Sequence, residues 1–130
     1  MANSGKHVVA VVDDDHRVLE SLKDLLESAG YEVRSYPSAA SLLEAGGGLA
    51  GLDCLISDIG MPAMDGLELR RIAKAARPGL PVILITGRYE LSDLPRIDSD
   101  CADGFFKKPI NSSDLLSAIS KALETSPRNK

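Results

Sequence analysis

Short apolar runs, each delivering a polar side chain at its end, alternate along this chain with segments whose hydrophobic residues recur at helical spacing. Val8-Val9-Ala10-Val11-Val12 leads into Asp13 and Asp14, and Cys54-Leu55-Ile56-Ser57 leads into Asp58. Pro81-Val82-Ile83-Leu84-Ile85 leads into Thr86, and Phe105-Phe106 precedes Lys107, Lys108 and Pro109. Apolar runs of this length fit strands buried on both faces. Such strands need helices above and below them, and strand–helix alternation makes the sheet parallel. Right-handed crossovers then restrict the topology to a doubly wound α/β sandwich, for which five strands suit the order 2-1-3-4-5. In an open parallel sheet the C-terminal strand ends share one edge, where ligands bind. Asp13, Asp14, Asp58, Thr86 and Lys108 are therefore expected to meet there.

The intervening segments carry their own signals. Val18, Leu19, Leu22, Leu25, Leu26 and Ala29 share one helical face, which starts near Asp15 and stops at Gly30. Residues 31–36 alternate as a second strand, and Ser38 caps a short helix through Leu42 and Leu43. Gly46, Gly47, Gly48 and Gly51 make a loop before the strand that carries Asp58. Gly66 opens a third helix with Leu69, Ile72, Ala73 and Ala76 inward, and Pro78-Gly79 closes it. The segment 89–103 is the weakest helix: Pro95 removes a donor, and Asp98, Ser99 and Asp100 are poor formers, so one short or broken turn is expected. The last helix is capped by Asn111 or Ser112 and faces inward through Leu115, Leu116, Ile119 and Leu123.

A chain of 130 residues fits one domain, and folding at this size buries roughly two-thirds of the accessible surface. Hydrophobic content of 44% with few aromatics implies a core of Leu, Val, Ile and Ala. The net charge is −4 with acids and bases interleaved, which argues against direct nucleic-acid binding, since that needs a basic stripe. Cys54 and Cys101 match neither a zinc site nor a redox pair, so buried, inert thiols are expected. No run approaches membrane-spanning length, and the first six residues have no apolar signal core. A reducing cytoplasmic setting is the expectation.

Three carboxylates converging at one strand edge repel one another unless a cation joins them. Hard oxygen ligands with room for water suit Mg²⁺, which keeps several waters and takes only one or two carboxylates. Capping of the first helix by Asp13, Asp14 and Asp15 is the alternative, because acids are favoured at helix N-termini. The neighbouring Asp58 favours the cation. A carboxylate beside such a cation can attack phosphorus and form an acyl phosphate. Phosphoryl transfer asks the protein mainly for positioning and charge neutralisation, to which the Lys108 ammonium and the Thr86 hydroxyl can contribute.

The stretch Asp58-Ile59-Gly60-Met61-Pro62-Ala63-Met64-Asp65-Gly66 is the most specific signal. Pro62 and Gly66 set a tight loop, and Met61 and Met64 can fold back onto the core. Here the chain resembles the receiver domain of two-component response regulators, a flavodoxin-like fold. That family carries Asp-x-x-Met-Pro-x-x-Asp-Gly at this place, an acidic pair after the first strand, Thr or Ser ending the fourth, and Lys-Pro after the fifth. All four occur in order, and the resemblance covers residues 6–123. Each piece alone is weak; the set is specific.

The resemblance implies a receiver domain over residues 6–124, followed by a polar tail or linker stump at 125–130. It implies Asp58 as phosphoacceptor, served by a sensor histidine kinase or a histidine phosphotransfer protein. Asp14, Asp58 and the Gly60 backbone carbonyl become direct Mg²⁺ ligands, with Asp13 acting through water. Thr86 and Lys108 match the residues that engage phosphoryl oxygens, and Phe105 matches an aromatic switch position. A phosphoryl group adds roughly −1.5 to −2 charge. Thr86 would move toward it and the Phe105 ring would fill the space, repacking the surface of segment 89–103, the fifth strand and the last helix. Phe105 lacks a hydroxyl that could pin either ring position. Such a domain is not an enzyme, though it assists its own phosphorylation and dephosphorylation. It binds neither nucleic acid nor membrane, and phosphorylation-dependent dimerisation is compatible with it. Cys101 and Pro95 depart from the usual pattern near the output surface, and Gly60 and Arg88 occupy variable positions beside the site.

Two outputs compete: a stand-alone phosphorelay protein, or the receiver half of a longer DNA-binding regulator. Rival classes fare worse. An aspartyl-nucleophile phosphatase wants Thr or Val where Arg17 stands, and more chain for a cap. A flavin-binding module wants a Ser/Thr/Gly-rich phosphate cradle after the first strand, where three aspartates would repel a phosphate.

Overall fold

The computed structural model describes residues 7–45, 48–87, 104–107 and 110–125. Along them run β1 (Val8–Val12), α1 (His16–Ser28), β2 (Glu32–Tyr36), α2 (Ala39–Glu44), β3 (Cys54–Asp58), α3 (Gly66–Ala76), β4 (Val82–Thr86), β5 (Gly104–Lys107) and α4 (Ser112–Thr125). The five strands form one parallel sheet in the order β2-β1-β3-β4-β5, as the alternation of elements predicted. The expected broken helix at 89–103, with Pro95 and Cys101, lies outside the described residues, as does Lys108.

The period of two along each strand sorts the core into two layers. Ala10, Val12, Leu55, Val82 and Leu84 pack beneath α2 and α3, with Leu42, Leu67, Leu69 and Ala73. Val9, Val11, Cys54, Ile56, Ile83 and Ile85 face the other side, against Leu19, Leu22 and Leu26 of α1 and Leu115, Ile119 and Leu123 of α4. Both faces of β1, β3 and β4 are therefore apolar, which is why their sequences read as continuous hydrophobic runs. Burying each Leu or Ile contributes about 1.5–3 kcal/mol. Cys54 is buried in β3, as expected.

Helix ends follow local chemistry. The carboxylates of Asp15 and Asp65 and the Ser38 hydroxyl accept from backbone N–H groups in the first turns of α1, α3 and α2. The Asn111 amide oxygen accepts from Asp114 N at 3.0 Å, which decides between the two candidate caps of the last helix. Gly30, at φ +98°, ends α1. Its N–H donates to the Glu27 carbonyl and that of Tyr31 to the Leu26 carbonyl, a paired closure that needs a left-handed residue. Tyr31 is committed to that closure, so β2 starts one residue later than the alternation suggested. The turn through Pro78-Gly79 is closed by Leu80 N donating to the Arg77 carbonyl.

Two expected inward residues are corrected. Ala29 is the exposed C-cap of α1, and Ala76 is exposed in the last turn of α3. Periodicity carries through a helix end, whereas the sheet beneath it does not. Leu67, by contrast, is buried in the first turn of α3.

Candidate functional site

Strand register brings the acidic residues together. Val12 pairs with Ser57, so Asp13, the next residue after β1, arrives at the level of Asp58. Asp58 pairs with Ile85, so Thr86 ends β4 one residue beyond it. Asp13, Asp58 and Thr86 are all buried, while Asp14 is exposed. Each of Asp13, Asp14 and Asp58 offers one carboxylate oxygen, and the three oxygens lie within 4.8 Å of one another.

Backbone hydrogen bonds hold this edge. Asp13 N donates to the Tyr36 carbonyl at 3.2 Å, tying the end of β1 to β2. Asp13 Oδ1 accepts from Asp15 N at 2.9 Å, so this carboxylate orders the turn into α1 as well as facing Asp58. The capping alternative is thus divided: Asp15 caps α1, and Asp13 belongs to the cluster. Ile59 N donates to the Ile85 carbonyl at 2.8 Å, extending the β3–β4 ladder one residue past Asp58.

The loop after Asp58 returns to the same edge. Met61 is buried and Met64 packs against the core, as the sequence led one to expect. Gly60 is exposed beside the cluster. Gly66 lies so close to β3 that a Cβ there would collide with the Asp58 carbonyl oxygen and sit 2.9 Å from the Ile59 Cα. Any side chain would push α3 off the strand that carries Asp58.

Of the predicted site residues, Asp13, Asp14 and Asp58 are brought together, and Thr86 lies on the neighbouring strand end. Phe105 lies in β5, in register with Leu84. Lys108 is outside the described residues. Sequence reasoning missed the Ser57 hydroxyl, buried and donating to the Asp58 carbonyl at 3.1 Å. It also missed Asp53, buried at the opposite edge, where its carboxylate accepts from Val8 N at 2.8 Å. A polar residue inside an apolar strand, for Ser57, or flanking one, for Asp53, was the only signal.

Chemically, the three carboxylates offer a cation an all-oxygen donor set with one exposed member. The donor set is hard, with no thiol or imidazole in it. It fits a cation of the Mg²⁺ type better than a soft transition metal.

Comparison with known proteins agrees with this architecture. The family model described as response regulator receiver domain matches residues 9–120. Response regulator protein TmoT of Ectopseudomonas mendocina is 38% identical over 128 residues, covering 98% of this chain and 58% of TmoT. Transcriptional regulatory protein FixJ of Bradyrhizobium diazoefficiens is 33% identical over 115 residues, covering 88% of this chain and 56% of FixJ. The chain thus spans about half the length of these curated relatives. The signal receiver domain of a histidine kinase from Syntrophus aciditrophicus superposes with a TM-score of 0.84 at 30% identity, covering 95% of each chain. Fold, acidic strand edge and family match coincide over the same residues, and the chain belongs to the response regulator receiver domains of two-component signal transduction.

Proposed function

We propose that this receiver accepts a phosphoryl group on Asp58, in a Mg²⁺-dependent reaction, from a histidine of a sensor kinase or phosphotransfer protein. The observation that carries this reading is the meeting of three carboxylate oxygens within 4.8 Å at the C-terminal sheet edge. An Asp58 oxygen attacks phosphorus, the bond from phosphorus to the donor nitrogen breaks, and its electron pair returns to the imidazole. Bound Mg²⁺ supplies positive charge where the phosphoryl oxygens gather. Asp14, Asp58 and the Gly60 carbonyl would hold it directly, and Asp13 through water. The Thr86 hydroxyl donates one hydrogen bond to the phosphoryl group, and the Lys108 ammonium neutralises a further part of its charge.

Phosphorylation then biases a two-state surface. Thr86 moves toward the new oxygens, and the Phe105 ring takes the space it leaves. The receiver domain occupies residues 6–124, with 125–130 a tail or linker stump. Relatives about twice as long favour a receiver half of a longer regulator over a stand-alone relay protein, and FixJ is a transcriptional regulator by name. Nucleic-acid contact would then belong to the output domain and not to this one. Dimerisation on phosphorylation is one route by which the output could be engaged. Among the described residues no helix is long and apolar enough to cross a membrane, and we assign the domain to the cytoplasm.

Incubation with acetyl phosphate and Mg²⁺ should add one phosphoryl group, read by intact mass. Asp58→Asn should abolish the addition. Persistence of the label in that variant would refute Asp58 as the acceptor.

A further inference from the structure

A single atom closes the loop 59–65 between β3 and α3 at both ends. The Ile59 carbonyl accepts from Met61 N and from Gly66 N, each at 3.0 Å. Several torsions within the loop are already constrained. The Pro62 ring fixes its own φ, and Met61 before it is confined to extended backbone. Asp65 is fixed as the N-cap of α3 at φ −81° and ψ 173°, its carboxylate accepting from Glu68 N at 2.9 Å. Gly66 is pressed against the backbone of Asp58 and Ile59. The left-handed residue of this loop is Ala63, whose φ is +66°. It is the one non-glycine among the described residues in the left-handed region. Its side chain is exposed, so packing does not compensate. Alanine also lacks the side-chain hydrogen bond with which Asn or Asp offsets that conformation.

We propose that Ala63 is a positioning residue for the Gly60 carbonyl. Its left-handed turn holds the loop in the form that presents this carbonyl to the cation. Because alanine adopts that turn reluctantly, the loop is only partly committed before the cation binds. The inference rests on the reading of the Asp58 site as a Mg²⁺-dependent phosphoacceptor. Apparent cation affinity is then the intrinsic affinity scaled by the fraction of molecules with residue 63 left-handed. Turn and cation favour each other reciprocally.

The test compares the wild-type chain with Ala63→Asn, Ala63→Gly and Ala63→Val, measuring Mg²⁺ affinity by calorimetry and the thermal midpoint in EDTA. Asn, which tolerates the turn, should bind Mg²⁺ about threefold to tenfold more tightly, and Val more weakly by a similar factor. Gly should fall on the tighter side of the wild type. A merely structural role would move the EDTA midpoints and leave affinity equal across the series, and that result overturns the inference. If the Val variant does not fold, the comparison of Asn with the wild type decides alone. Failure of the wild-type chain to bind Mg²⁺ overturns the phosphoacceptor reading itself; equal affinity among variants that all bind overturns only the role of Ala63.

Discussion

Gly66 carries the tightest steric demand near the site, because the atoms a Cβ would meet are backbone rather than the ends of flexible side chains. Gly66→Ala is expected to lower stability by about 2–3 kcal/mol as α3 shifts away from β3. A thermal midpoint within a degree of the wild type would show that the backbone yields freely. The sequence marked Gly66 as a helix opener; the close approach that demands glycine comes from β3, eight residues back. Tyr31 gives a second test at this scale. Burial raises its hydroxyl pKa above the ordinary 10.0, and the neighbouring Cys54 adds to the rise. The folded state therefore favours neutral Tyr31. Its contribution is complete below the unfolded pKa near 10 and is lost as pH rises through the higher folded value. Tyr31→Phe should make stability fall less steeply above pH 10 in urea titrations. Parallel curves for variant and wild type would remove that contribution.

Among the elements, α3 is anchored at both ends by chemistry that periodicity does not reveal. At its C-cap, Arg77 Nη1 donates to the Leu49 carbonyl at 2.6 Å and the Leu52 carbonyl at 2.8 Å. The guanidinium thus ties the segment entering β3 to the end of the helix beside it. Arg77→Ala should cost about 2 kcal/mol in urea unfolding, because two carbonyls lose a charged donor. Arg77→Lys should recover only part of that loss, since an ammonium lacks the planar fork. An unchanged midpoint in the alanine variant would show that water replaces the guanidinium without loss. Helix existence and three of the caps were legible because Asp15, Ser38 and Asn111 act within a few residues of themselves, whereas the cap by Asp65 came only from the structure. The exposure of Ala29 and Ala76 was not legible, because a helical stripe does not report where the surface beneath it ends.

At the scale of the whole molecule, the acidic edge should cost stability whenever no cation shares it. In EDTA, Asp58→Asn is expected to melt a few degrees above the wild type, a gain of about 1 kcal/mol from relieved repulsion. Millimolar Mg²⁺ should then raise the wild-type midpoint and leave the variant nearly unmoved, because ligand binding stabilises only a chain that binds. Equal midpoints in EDTA would show that the three carboxylates do not oppose one another. The parallel order β2-β1-β3-β4-β5 was legible from alternation and handedness, both general properties of strands and crossovers. By itself the sequence determined which elements form, where most helices are capped and which strand ends carry polar groups, since these depend on neighbours along the chain. Tertiary structure alone decided that Asp13 reaches the level of Asp58, that Thr86 stops one residue beyond it, and that Ala63 turns left-handed. Those outcomes depend on inter-strand register and loop closure, which join residues far apart in the chain through hydrogen bonds that no local pattern encodes.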